Sequence, residues 1–140
     1  PDLEQEVAIL ARFQQGSEHL STAALTPVLT IAELERARFL VRSVRCEENL
    51  VRYIATIVDL TRRAPALMLG ASPRASLAIL MGAKSAAAIE GRDFVTPEDI
   101  QFVMPHVLRH RVILTPEREM EGLTTDDLVK RMIERTEVPR

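Results

Sequence analysis

The chain has 140 residues, 46% of them hydrophobic and 27% charged, with a formal net charge of -2. This length fits one domain with its own core, while the balanced charge argues against sequence-independent binding to nucleic acid, which depends on an excess of Lys and Arg. One cysteine, Cys46, excludes an internal disulfide and suits a reducing compartment, and no apolar run approaches the ~20 residues that span a bilayer, so we expect a cytoplasmic protein without a membrane span.

Helix signals begin at the start of the chain. Apolar residues at helical spacing follow Asp2 and end near Gly16, and residues 17–27 have the composition of a loop. Thr30 and Glu33 then form a capping box, in which the Thr side chain accepts from an early backbone N–H and the Glu side chain reaches back. A second helix is predicted to begin there.

The middle of the chain predicts two more helices. The second helix ends near Ser43, and a third is predicted over residues 47–63, with Pro65 stopping it. Residues 73–90 are apolar almost all round, which predicts a helix at the buried centre of a bundle. Gly91 is expected to close this helix in the left-handed conformation.

The last third of the chain predicts two helices and a short strand. Residues 96–99 repeat the helix-start signal, and Pro105 is expected to kink or end the helix that follows. Residues 112–114 are interpreted as a strand whose partner is residues 44–46, and residues 124–127 open a last amphipathic helix. The predicted fold class is therefore all-α, a bundle of about six helices with one short two-stranded β element.

Most residues whose side chains could take part in catalysis or metal binding have a structural interpretation. The sequence has no glycine-rich phosphate loop and no nucleophile with a persuasive His partner. His106 and His110 could share a helix face but lack a third ligand, so no metal site is predicted. Cys46 is interpreted as a small buried apolar residue. Four acids are interpreted as stabilisers of helix starts: Glu98, Asp99, Asp126 and Asp127.

A basic triplet, Arg109, His110 and Arg111, could contact phosphate. With no interleaved aromatic residue and no wider basic field, a solvated or salt-bridged turn is the better interpretation. The nearby acidic stretch 116–121 is the expected source of neutralising charge, and the sequence assigns the triplet no function.

Arg74 is the residue that local rules do not explain. Ser72 is a natural N-cap and Pro73 a natural first helical residue, but a cation in the first turn lies at the wrong end of the helix dipole. One explanation is an anion held jointly by Arg74, whose side chain leans past the helix end, and by the free N–H groups there. The other, which local physics alone favours, is an arginine that extends into water.

Three strings in order, LGASPRASLAIL, GRDFVTPEDI and VLRHRVIL, resemble the C-terminal helical lid domain of MoxR-type AAA+ ATPases. The similarity extends to EQEVAIL, LTPVLTIAEL and GLTTDDLVKRMIERTEVPR, and GASPRAS together with VLRHR favours MoxR over the related magnesium-chelatase lid. The resemblance implies a single lid domain over residues 1–140, with the nucleotide-binding core outside this chain.

In that family the arginine of the GASPRA motif is the sensor 2 residue, which reaches the γ-phosphate of ATP. The resemblance therefore implies this role for Arg74, with Ser72 and Pro73 shaping the turn beside the nucleotide. It also implies ATP and Mg²⁺ as cofactors of a parent protein that forms a hexameric ring and assists the maturation of client proteins, without identifying the client.

With the Walker loops outside the chain, the chain alone is expected neither to hydrolyse ATP nor to bind a nucleotide tightly. The core domain of the same polypeptide and neighbouring subunits are the expected partners, and nucleic acid is not. The alternative hypothesis is a stand-alone helical domain that binds a partner protein or DNA.

Overall fold

The computed structural model describes residues 2–14 and 25–139, almost entirely as helices joined by short irregular segments. The chain divides into two compact units, residues 1–34 and 35–140. The predicted helix end near Gly16 and most of the predicted loop, residues 17–24, lie outside the described residues. The described part contains seven helices rather than about six, and the predicted all-α class is confirmed.

The first unit holds α1 (Leu3–Gln14) and the start of α2 (Ile31–Ser43). The Asp2 carboxylate accepts a hydrogen bond from the Gln5 N–H at 2.8 Å, so α1 begins with its own cap. Neither α1 nor α2 has a buried residue.

The second unit contains the remaining helices: α3 (Glu48–Arg63), α4 (Pro73–Ile89), α5 (Pro97–Leu108), α6 (Pro116–Met120) and α7 (Thr125–Arg135). Helix α4 packs between α3 and α5, and α7 lies against α5 and α3. The largest fully buried side chains come from these four helices and include Ile57, Ile79, Ile100 and Val129. Burying each such aliphatic side chain contributes about 1.5–3 kcal/mol, so this core holds the unit together.

The predicted helix starts at residues 30, 96 and 124 are confirmed, and each has a capping box, which the sequence predicts only for Thr30 and Glu33. In each box the acid accepts a hydrogen bond from the backbone N–H of a threonine three positions earlier. The pairs are Thr30 with Glu33 at 2.7 Å, Thr96 with Asp99 at 2.8 Å, and Thr124 with Asp127 at 3.3 Å. Because these bonds favour the ionised acid, the hydrogen bond from the Thr30 N–H lowers the pKa of Glu33.

Helix α4 differs from its prediction as a helix buried on all sides. Its buried positions form one stripe of mostly small residues with a spacing of four: Ala75, Ile79, Ala83 and Ala87. Leu77 and Ile89 remain 65% and 84% exposed. The small residues let α5 approach from one side, and a Cβ on Gly82 would come within 2.5 Å of Val103 Cγ1. The strip of α4 that carries Leu77 and Ile89 therefore stays exposed within the described part of the chain.

Gly91 ends α4 in the predicted way, with a φ of 74°. The Gly91 N–H donates to the Ala88 carbonyl at 3.0 Å, and the Arg92 N–H donates to the Ala87 carbonyl at 2.9 Å. These two bonds satisfy carbonyls that the helix end would leave free, as in a Schellman motif.

Helix α5 runs through Pro105 to Leu108, so the proline does not end it. An interior proline costs ~3 kcal/mol because it removes a backbone hydrogen bond and crowds the preceding turn. Ile100, Met104 and Leu108 are all 0% exposed on the same side of α5, and we attribute the persistence of the helix to this packing.

The predicted two-stranded element is present, but the predicted pairing of residues 112–114 with residues 44–46 is wrong. The antiparallel strands are β1 (Leu67–Leu69) and β2 (Ile113–Leu114), with Leu67 opposite Leu114. The Thr115 N–H extends the pairing by donating to the Ala66 carbonyl at 3.0 Å. Leu67–Leu69 has no β-branched residue, unlike residues 112–114, so its composition gives no strand signal of its own.

Residues 44–46 are instead used in a different pairing. Arg45 forms a single parallel bridge with Phe94. The Arg45 N–H donates to the Asp93 carbonyl at 2.8 Å, and the Arg45 carbonyl accepts from the Val95 N–H at 2.9 Å. Because both backbone groups of Arg45 are occupied in this way, residues 44–46 do not pair with β2.

Asp99 joins the start of α5 to the turn after α4. The Arg92 guanidinium binds its carboxylate through two hydrogen bonds of 2.7 and 2.6 Å, and the Asp99 side chain is only 7% exposed. Burial alone would raise the pKa of Asp99, but the hydrogen bonds from Arg92 and from the Thr96 N–H outweigh it, and the pKa is lowered. The predicted structural role of this acid therefore extends beyond its own helix.

We expect Asp99→Asn to lower the free energy of unfolding at pH 7 by about 1.5–3 kcal/mol, because it replaces a charged hydrogen-bond acceptor. Since the pKa of Asp99 is lower in the folded chain than the ordinary value of about 3.9, its contribution is complete above that value and disappears as the pH falls through the folded pKa. Urea unfolding of the 140-residue chain should show the difference between the two proteins shrinking as the pH falls below about 3.9.

Asp126→Asn is the matched control, because Asp126 pairs with Arg109 with both side chains about half exposed, at 51% and 45%. An exposed pair of this kind contributes less than about 1 kcal/mol. Equal losses from the two substitutions at pH 7, or a loss from Asp99→Asn that persists in acid, would contradict the prediction.

Candidate functional site

The first turn of α4 has the predicted start. Ser72 is the N-cap, in an extended conformation with φ -82° and ψ 166°, and Pro73 is the first helical residue. The Ser72 side chain makes no capping hydrogen bond, although its carbonyl accepts from the Ala75 N–H at 2.8 Å. The first turn therefore lacks the acidic side-chain acceptor that is present at the starts of α2, α5 and α7.

Comparison with the start of α5, which has a similar sequence, shows how the start of α4 differs in charge. Helix α5 begins with TPED, whose last acid caps the helix, whereas α4 begins with SPRA. In this alignment Arg74 takes the place of Glu98, and Ala75 takes the place of Asp99. The α4 start has thus exchanged two negative residues for one positive and one neutral residue, which leaves the partial positive charge of the helix end uncompensated.

Arg74 is exposed, and no hydrogen bond or ion pair of its guanidinium occurs within the described residues. The neighbouring Arg62 and Arg63 differ, because both bind the Asp59 carboxylate, at 3.0 and 2.8 Å. A free guanidinium beside an uncapped helix start can bind an anion through both the fork of the side chain and the backbone N–H groups.

The loop before α4 is held against the last turn of α3. The Ala71 N–H donates to Thr61 Oγ1 at 2.9 Å, and the Ala71 carbonyl accepts from Arg62 Nη1 at 3.3 Å. Gly70 lies so close that an added Cβ would be 2.6 Å from Arg62 Cα and 2.7 Å from the Thr61 carbonyl oxygen. Contacts with α3 therefore fix the position of the first residues of the GASPRAS string.

Sequence reasoning missed Thr61, although a signal was present. Thr61 follows Ile57 by four positions and Val58 by three, so helical spacing already placed its hydroxyl on the buried face of α3. A buried hydroxyl requires a hydrogen-bond partner. That requirement could have directed attention to a nearby backbone group, but not to which one.

The basic triplet lies at the end of α5. Arg109 Nε is 3.2 Å from Asp126 Oδ1 in the first turn of α7, and Arg111 Nε donates to His110 Nε2 at 3.2 Å. The expectation of a salt-bridged turn holds for Arg109, but the acid is Asp126 rather than one from residues 116–121. The physical reason is that α5 and α7 pack against each other, which brings the two helix ends together.

The remaining candidates lie apart from the α4 start in the sequence and form no common site with it. His106 is exposed and meets the Phe102 ring edge-on at a centroid distance of 5.5 Å. Across residues 2–14 and 25–139, no cluster of three or more possible metal ligands occurs. Cys46 is half-buried, and burial raises the pKa of its thiol, which therefore stays protonated near neutral pH.

The helical bundle with its small two-stranded sheet has the fold of a lid domain of the kind that accompanies a nucleotide-binding core. Residues 59–132 match the family described as AAA lid domain, and the chain belongs to that family. Among the described residues, no helix combines the length and hydropathy that a membrane crossing requires.

Proteins with similar sequences indicate which type of AAA lid domain this is. The chain is 34% identical to the uncharacterized protein YeaC of Bacillus subtilis, over 99% of this chain and 42% of that protein. It is 32% identical to Chaperone MoxR1 of Mycobacterium tuberculosis, over 100% of this chain and 38% of the relative. The predicted MoxR-type AAA+ lid is thereby confirmed.

A solved structure gives the same result for the fold. The crystal structure of a protein from Cytophaga hutchinsonii, whose name suggests an ATPase, has a TM-score of 0.77 and 27% identity, over 99% of this chain and 44% of that one. The chain spans less than half the length of the relatives it matches.

Proposed function

We propose that this chain is the sensor 2 lid module of a MoxR-type AAA+ ATPase, and that Arg74 contacts the γ-phosphate of ATP bound to a core domain elsewhere in a longer protein. The observation that carries this proposal is the free, exposed guanidinium of Arg74 on a helix start without a side-chain cap. Ser72 and Pro73 shape the turn beside the nucleotide, because they set the direction in which α4 begins.

The proposed action is electrostatic. When the lid closes on bound ATP, Arg74 meets the negative charge of the γ-phosphate, and the N-terminal partial charge of α4 adds to the attraction. ADP lacks that phosphate, so the two nucleotides would favour different lid positions, and hydrolysis would be coupled to rigid-body movement. Arginine suits this role because its planar fork matches phosphate oxygens.

The rest of the catalytic apparatus would be supplied by the core. Magnesium would neutralise phosphate charge there, and the described residues of this chain offer no cluster of ligands that fits the ion. We therefore assign this chain no residue for metal binding, and one residue, Arg74, for contact with the nucleotide. A single arginine and one helix start should give the chain alone only weak nucleotide affinity.

The proposed parent is a chaperone-like machine that forms a hexameric ring and acts on a client protein. The name of the relative Chaperone MoxR1 supports the chaperone part of this proposal. A net charge of -2 gives no support to a nucleic-acid client.

Nucleotide titration of the full-length protein tests the proposal. We expect Arg74→Ala to weaken ATP binding about 10-fold or more while leaving ADP binding nearly unchanged, because the lost charge-assisted hydrogen bond contributes about 1.5–3 kcal/mol. Arg109→Ala removes an equal charge that is already paired with Asp126, and it should leave the ratio of the two affinities unchanged. An unaltered ratio in Arg74→Ala would refute the contact.

A further inference from the structure

We infer that Thr61 is a positioning residue for Arg74, and that the last turn of α3 fixes the point from which the Arg74 side chain extends. The inference rests on the proposed function of Arg74. It adds a residue that makes no contact with nucleotide and acts through the loop between β1 and α4.

The hydroxyl of Thr61 acts as both donor and acceptor. It donates to the Val58 carbonyl at 2.6 Å and accepts from the Ala71 N–H at 2.9 Å, and Thr61 is only 1% exposed. The bond to Val58 O fixes the hydrogen on one side of the oxygen, so a lone pair faces the Ala71 N–H. Without the hydroxyl, that N–H would be buried without an acceptor.

The loop has a second connection to α3. Arg62 Nη1 donates to the Ala71 carbonyl at 3.3 Å, while Arg62 Nη2 binds the Asp59 carboxylate at 3.0 Å. Both backbone polar groups of Ala71 are thus bound to side chains of one helical turn, and Ala71 is 0% exposed. Gly70 allows this approach because it has no Cβ.

Little freedom remains between Ala71 and Arg74. The ring of Pro73 fixes one of the backbone dihedrals in between, and Ala75, the residue after Arg74, is 0% exposed in the core. The start of α4 therefore moves with α3. A displacement of about 1 Å at a group that contacts the reacting atoms can lower a rate by roughly 10²-fold, so loss of the Thr61 hydroxyl should be visible in catalysis.

The experiment compares Thr61→Val and Thr61→Ser in the full-length protein by steady-state ATPase kinetics. Thr61→Val removes the hydroxyl at nearly constant volume, and we expect kcat to fall roughly 10- to 100-fold. Thr61→Ser keeps the hydroxyl and should stay near the wild-type rate. Thr56→Val is the matched control, because Thr56 lies on the same helix but is exposed, and it should not change kcat.

The decisive measurement repeats Thr61→Val in an Arg74→Ala background. If Thr61 acts through Arg74, the second substitution should change kcat by less than about twofold, because coupled sites are not additive. An equal fall of kcat in both backgrounds overturns the inference and leaves the role of Arg74 standing. An unchanged kcat in Arg74→Ala alone overturns the proposed function and the inference with it.

Arg62→Gln provides a second route if Thr61→Val does not fold. Arg62 is 43% exposed in its side chain, so its replacement disturbs the core little. We expect a smaller fall in kcat that is again absent in the Arg74→Ala background. A fall of the same size in both backgrounds would count against the positioning role.

Discussion

Arg74→Ala in the full-length protein is expected to lower the ATP turnover number by at least about 10²-fold while leaving the fold intact, the size of loss seen when a preorganised charge-stabilising donor is removed. Arg74 is exposed, and its guanidinium makes no hydrogen bond or ion pair within the described residues, so unfolding in urea should be unchanged. The effect on turnover should exceed the effect on ATP affinity, because negative charge redistributes on the phosphate oxygens as the reaction proceeds.

Arg74→Lys separates charge from geometry in the same assay. Lysine keeps the positive charge but loses the planar fork of donors, so we expect a rate between those of the wild type and Arg74→Ala. A rate for Arg74→Ala within twofold of wild type, in a protein with normal stability, would show that this arginine only extends into water.

The features that sequence predicted at this site are those that depend on neighbours along the chain. Ser72 and Pro73 mark a helix start through preferences that act within one turn. The same holds for the capping acid Asp99 and for Gly91, whose φ of 74° is unfavourable for other residues. These positions could be assigned without knowledge of the fold.

Features that depend on distant contacts could not be assigned. Thr61 and Ala71 are ten positions apart, and only the packing of α3, β1 and α4 brings them together. The same is true of Leu67–Leu69, which forms a strand because it pairs with Ile113–Leu114 and not because its own sequence favours one. Tertiary contacts of this kind outweigh the weak local preferences of short segments.

The open face of α4 shows a further limit of the sequence. A pattern of apolar residues predicted burial, yet Leu77 is 65% exposed in the structure. The hydrophobicity of a helix face indicates that the face can be buried, but it does not indicate whether other residues of the same chain bury it. The stripe that is buried was distinguishable only by its small residues, which permit the close approach of α5.

Gly70→Ala should produce the largest loss of stability of any small substitution near the site, about 3–5 kcal/mol, from overpacking and from the hydrogen bonds of Ala71 that the displaced loop would lose. The added Cβ would lie 2.6 Å from Arg62 Cα and 2.7 Å from Arg62 N. Both are backbone atoms of a packed helix, so they cannot rotate away. Urea unfolding of the 140-residue chain measures the change.

Gly122→Ala is the control that separates crowding from backbone conformation. Gly122 has a φ of 80°, but a Cβ there would meet nothing within 4 Å, so the cost should be only the left-handed strain of about 1–2 kcal/mol. Gly122→Asn should cost less, since asparagine tolerates that region. If Gly122→Ala proved more damaging than Gly70→Ala, contact between the loop and α3 could not be what holds the start of α4 in place.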